Sequence, residues 1–170
     1  YACAGLYKDE HVPAYRRLTD FIREQGAVPA IQLGHAGRKA SCHTAREDWR
    51  PLHDGDVDEG MPPWQGLAPS ALDQLPRRFV PREMDRDDIR TVLDAFRVAT
   101  LRSGEAGYDI VELHAAHGYL IHQFLSSVSN HRTDAYGGDI QGRMRFALET
   151  AEVMREAWPN DKPVFCRISA

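Results

Sequence analysis

His114, His117 and Tyr119 fall in the stretch His-Ala-Ala-His-Gly-Tyr, directly after Asp109-Ile-Val-Glu-Leu113. An apolar run that stops in two imidazoles and a phenol has the make-up of an active-site rim. Imidazole gains or loses its proton near neutrality. A phenol is a far weaker acid, with a pKa of about 10. The residues alone leave more than one chemistry open. A His-x-x-His pair can simply make structural hydrogen bonds, and Tyr119 can pack. With Glu112 the pair can ligate a metal, which gives a metal-dependent hydrolase as one alternative. Neither His-Glu-x-x-His nor Cys-x-x-Cys accompanies it.

Such residues need a scaffold, and the surrounding text supplies strands separated by helices. Residues 10–25 read as a helix, with Val12, Tyr15, Leu18 and Ile22 at helical spacing and Gly26 as its stop. Val28 to Leu33 reads as a strand. Residues 36–84 read as one long loop rich in Pro, Gly, Asp and His, of a length that usually signals function. Asp85 is placed to cap a second helix, with Asp88 three residues on and Ile89, Val92, Leu93 and Phe96 on one face. Tyr108 to His114 is the second strand. Asp139 opens a third helix with a stripe of Ile140, Met144, Leu148, Ala151 and Met154, and Pro163 to Ser169 is the third strand. Alternating elements of this kind imply right-handed crossovers and a parallel sheet, closed or open.

Strand parity then groups the polar residues. Side chains alternate across a strand. Ile31 and Leu33 share one face, as do Val111 and Leu113, and Val164, Cys166 and Ile168. If those apolar faces lie under helices, Gln32, His114 and Arg167 turn the other way, together. An amide, an imidazole and a guanidinium converging near strand ends can grip a polar heterocycle. Arg167 can also pair with Glu112.

Taken with Phe124-Leu-Ser-Ser-Val-Ser-Asn130-His-Arg132-Thr-Asp134-Ala-Tyr136-Gly-Gly138 and with Ile31-Gln-Leu-Gly-His-Ala-Gly-Arg38-Lys39, this text resembles the Old Yellow Enzyme family of FMN-dependent ene reductases. It looks closest to the branch of small bacterial NADPH dehydrogenases and xenobiotic reductases. The resemblance implies part of a TIM (β/α)8 barrel, a non-covalent FMN and NADPH as reductant. It implies that residues 1–170 are one piece of that barrel, the middle of a longer protein, with residues 36–84 lying over the active-site face. It further implies that His114 and His117 hold the carbonyl oxygen of an α,β-unsaturated substrate and that Tyr119 protonates its α-carbon. Gln32 would meet the pyrimidine edge of the flavin, and Arg167 its N1 and O2 side. Arg132 and its neighbours would be scaffold, bridging loop carbonyls or acids. Here the chain departs from the family text: Asp139-Ile-Gln-Gly142-Arg143 stands where Ser-x-Glu-Asn-Arg is usual. Gly142 is expected to weaken the first helical turn by about 1 kcal/mol relative to Ala. His35, Arg38 and Lys39 receive no chemical role.

Composition narrows the rest. Hydrophobic content of 42%, charged content of 27% and a net charge of −4 are those of an ordinary globular protein. The arginines are scattered rather than striped, which argues against a nucleic-acid partner. No apolar run reaches the roughly 18 residues of a membrane span. Cys3, Cys42 and Cys166 are odd in number and widely spaced, as expected in a reducing cytoplasm. The expected partner is a small enone-type molecule, with assembly into a homo-oligomer left open.

Overall fold

A computed structural model describes residues 4–73 and 80–169. The chain enters through α1 (Val12–Glu24), with Pro13 in its first turn, where a missing N–H costs nothing. There follow β1 (Ala30–Leu33), the short strands β2 (Leu67–Ala68) and β3 (Arg82–Glu83), and α2 (Arg86–Glu105). Then come β4 (Ile110–Ala115), α3 (Leu120–Leu125), α4 (Ile140–Ala157) and β5 (Val164–Ile168).

α2 opens as its sequence requires. The Asp85 carboxylate accepts from the amides of Asp87 and Asp88, and Asp88 accepts from the amide of Asp85. This reciprocal box satisfies donors that the first turn leaves unpaired. α4 begins on Asp139, which accepts from the amide of Gly142.

β1, β4 and β5 form one parallel sheet in that order. Leu33 sits beside Leu113, Gln32 beside Glu112, and His114 beside Arg167. Residues paired across a parallel ladder point to the same face, so the expected grouping of Gln32, His114 and Arg167 is realised. Helices cover the opposite face of β4. There Val111 and Leu113 are buried with Ile89, Phe96, Phe146 and Met154. Asp109 ties the lower end of the sheet together, pairing with Arg23 of α1 and with Lys162 before β5, each at 2.9 Å.

Several boundaries and faces differ from the sequence expectation. β1 starts at Ala30, and Val28 is exposed. In α1 the buried positions are Val12 and Thr19, while Leu18 stays exposed. In α4 the expected stripe is largely on the wrong side. Ile140, Met144 and Leu148 face outward, and Phe146, Thr150 and Met154 form the packed row. The helix carries two apolar rows, and the neighbours choose between them. Phe146 meets Phe124 of α3 with ring centroids 4.3 Å apart. Buried threonines hide these rows from a count of apolar residues. Thr19 donates to the carbonyl of Ala106, Thr100 to that of Phe96 and Thr150 to that of Phe146. Each hydroxyl is thereby satisfied in an apolar setting. Cys166 and Ile168 of β5, expected on the covered face, are likewise exposed.

Gly142 has a reason the sequence did not disclose. An added Cβ there would collide with the carbonyl oxygen of Gly137, so the residue admits a close backbone approach. Residues 36–84 are not a featureless loop. They hold short helical turns at Gly37–Lys39, Ala45–Glu47 and Asp54–Glu59 and the parallel pair β2–β3, with residues 74–79 outside the described set. Arg50 braces this segment by gripping the buried Asp56 through two hydrogen bonds of 2.9 and 2.7 Å. Those bonds hold the Asp56 carboxyl far below the usual carboxylate range.

Candidate active site

The site is assembled from the ends of the three parallel strands and the segments that leave them. His114 is the second-last residue of β4 and is buried. Its Nδ1 accepts from the amide of Ala116 at 3.2 Å. Accepting there requires the ring proton on Nε2, so His114 offers an N–H donor. Burial, and then the neighbouring His117 and Arg167 side chains, push its pKa below the ordinary value. It is therefore a neutral donor at physiological pH.

His117 and Tyr119 meet this ring from two sides. The His117 ring centroid is 5.1 Å from that of His114, and the Tyr119 centroid is 4.8 Å away, both edge to face. A left-handed turn makes this convergence. His117 has φ 57° and Gly118 φ 70°. A positive φ is uncommon in a residue with a Cβ, though His is among the more tolerant types. The turn brings His117 back over the strand end and leaves its side chain exposed. Tyr119 then starts α3, a helix that went unread in the sequence because it is only six residues long.

Gln32 and Arg167 flank β4 on the same face, and both are exposed. Gln32 donates to Glu112 at 2.5 Å, so Glu112 is paired with Gln32, and the alternative of an Arg167–Glu112 pair is not realised. Among the described residues no hydrogen bond or ion pair occupies the Arg167 guanidinium. The amide oxygen of Gln32 and the guanidinium N–H groups thus remain available to a ligand. That donor and acceptor set fits the polar edge of a flavin ring. Glu112, taken up by Gln32, does not complete a metal set with His114 and His117. Among the described residues no group of three or more His, Cys, Asp or Glu side chains is placed to hold a metal ion.

The segment expected to act as scaffold is built as one. The Arg132 side chain is buried and forks onto Asp134 at 3.0 and 2.6 Å. It also donates to the carbonyls of Pro69 and Met84. Asn130 donates to the carbonyls of Phe124 and Tyr136. These bonds join the chain after α3 to the segments around β2 and β3. Sequence reasoning passed over four residues that surround the turn: Lys39, His122, Gln123 and Ser169. Gln123 alone left a signal, as an amide between Ile121 and Phe124 in an apolar helix.

The family model for the NADH:flavin oxidoreductase / NADH oxidase family matches residues 2–170. The chain belongs to this family. An NADPH dehydrogenase of Bacillus velezensis is 43% identical over 166 residues, which cover 98% of this chain and 43% of that protein. The Old Yellow Enzyme homologue of Zymomonas mobilis superposes with a TM-score of 0.78 at 27% identity, over 96% of this chain and 44% of the other. Histamine dehydrogenase of Rhizobium sp. 4-9 superposes with a TM-score of 0.74 at 32% identity, over 95% and 23%. The fold is therefore part of a flavoenzyme TIM barrel, and the chain spans less than half the length of these relatives. The family match displaces the hydrolase alternative.

Proposed function

We propose that this chain carries the substrate-activating part of an FMN-dependent NADPH dehydrogenase that reduces the activated C=C bond of α,β-unsaturated carbonyl compounds. The observation that carries the reading is the His114 donor. Its Nε2–H is fixed by the Ala116 amide, and His117 and Tyr119 stand against the same ring. His114 and His117 donate hydrogen bonds to the carbonyl oxygen of the acceptor. They stabilise the negative charge that this oxygen gains as the double bond is reduced, an effect of roughly 10²–10³ in rate per preorganised donor. Tyr119 delivers a proton to the α-carbon, and solvent restores it. Gln32 and Arg167 hold the flavin, with the guanidinium favouring an anionic ring. FMN, when bound, supplies the hydride carrier between NADPH and the acceptor. NADPH rather than NADH is favoured by the names of the bacterial relatives. The reading extends to a small-molecule substrate, a cytoplasmic setting and residues 36–84 as the cover of the site; among the described residues no helix is long and apolar enough to cross a membrane.

The test is an absorbance spectrum of the protein purified at its natural length. A bound flavin that NADPH bleaches and an enone restores is the expected result. A protein that takes up no FMN on incubation, or whose reduced flavin is indifferent to enones, would refute the reading.

A further inference from the structure

The backbone N–H and C=O groups of His117 and Gly118 are all held by side chains, two from distant segments and two from the helix that follows the turn. The His117 amide donates to Ser169 Oγ beyond β5 at 3.2 Å, and its carbonyl accepts from Lys39 Nζ after β1 at 2.6 Å. The Gly118 amide donates to His122 Nδ1 at 2.7 Å, and its carbonyl accepts from Gln123 Nε2 at 2.7 Å. A two-residue left-handed turn thus has four polar backbone groups and four side-chain partners. Gly118 is needed for this, since a Cβ would stand 3.3 Å from Lys39 Cε in a backbone region that side chains avoid. Gln123 is itself buried, and its amide oxygen accepts from the amide of Arg38. Lys39 Nζ also lies 5.2 Å from the centre of the Tyr119 ring.

We infer that His122, Lys39, Gln123 and Ser169 are positioning residues, a clamp that holds His117 and Tyr119 against His114. A non-glycine residue at positive φ persists only where its surroundings over-determine it. The four bonds supply that determination from three different strand-following segments. The inference rests on reading His117 and Tyr119 as the groups that meet the substrate.

One member of the clamp is a titratable acceptor. His122 accepts from Gly118 only while its Nδ1 is unprotonated. The groups that face it are Lys39 and His117, both basic. Burial first, and then those charges, push its pKa below the ordinary value. The neutral form that the clamp needs therefore holds above the ordinary imidazole value of about 6.5. It is lost as pH falls through the lowered folded value, when an N–H would face an N–H.

Amide hydrogen exchange of residues 117–118 in the flavin-loaded protein tests this without reference to turnover. Replacing His122 by Ala should lower their protection about tenfold, the scale of a buried donor left unpaired. It should slow the reoxidation of reduced flavin by an enone by a similar factor, with flavin content unchanged. His122→Asn should recover both, because its amide oxygen falls near the place of Nδ1. As pH falls from about 7.5 through the lowered His122 value, the Asn protein should hold its protection, while the parent loses it. Lys39→Met should loosen the same turn and leave the acid response in place. Protection in His122→Ala within twofold of the parent would overturn the inference, as would an Asn variant that behaves like Ala. A parent protein without alkene reduction but with this exchange pattern would refute the proposed function and uphold the clamp.

Discussion

His114 reaches the site with Nδ1 already committed to the Ala116 amide, and Tyr119 reaches it as a ring packed on that imidazole. The two residues should therefore fail in different ways. Replacing His114 and His117 by Ala removes the proposed donors to the substrate oxygen, and on that reading alkene reduction should fall by at least about 10²-fold. Flavin should remain bound. Tyr119→Phe keeps the packing and removes only a proton. It should slow reoxidation of the flavin by an enone more than its reduction by NADPH, as rapid mixing can follow through flavin absorbance. Equal slowing of both halves would return Tyr119 to a positioning role. Gln32 and Arg167, proposed to hold the flavin, lie on the same face of the sheet as His114. Gln32 is hydrogen-bonded to its strand neighbour Glu112, and Arg167 stands in register with His114.

At the scale of elements, the segments that follow the strands are tied to each other by buried polar side chains. Arg132 is the clearest tie. Its guanidinium sits inside the protein and serves Asp134, Pro69 and Met84 together. The hydrogen bonds to Asp134 raise the Arg132 pKa, and those same bonds lower that of Asp134. Lys cannot reproduce a planar fork with this many donors. Arg132→Lys should destabilise the fold by roughly 2–4 kcal/mol, because acceptors are left unpaired and a carboxylate loses its partner. Urea denaturation gives the value directly. A loss below about 0.5 kcal/mol, the level of an ordinary surface change, would show that the staple is not structural.

At the scale of the whole molecule, the sheet is open at both edges among the described residues. β1 and β5 each have one hydrogen-bonded neighbour in it. Beside them lie apolar side chains that the described residues leave in contact with solvent. Leu18 is 54% exposed on α1, and Leu148 is 59% exposed on α4. Ile168 of β5 is 66% exposed. Unpaired edges beside apolar surface recruit other chains. Residues 1–170 produced alone should self-associate or remain partly folded, and bind FMN weakly. Size-exclusion chromatography with light scattering, followed by a denaturation curve, is the check. A monomer that unfolds cooperatively and holds FMN tightly would show that the edges are satisfied within this chain.

What the sequence determined by itself was local or periodic. Alternation along β4 assigned His114 to the face opposite Val111 and Leu113, because strand side chains can point only two ways. Asp85 and Asp88 announced a helix start, because a first turn must find acceptors for its amides. The family text around His114, Gln32 and Arg132 was legible for the same reason: each motif is contiguous. Only the tertiary structure decided which apolar row of α4 is buried, since either row satisfies helical periodicity and the choice lies with Phe124 across the contact. It alone gave Glu112 to Gln32 instead of Arg167, a matter of register between strands far apart in the chain. It alone revealed that Lys39, His122, Gln123 and Ser169 close on one turn. Their partners are backbone atoms, which every residue possesses, and the sequence carries no mark of which carbonyl or amide a side chain will meet.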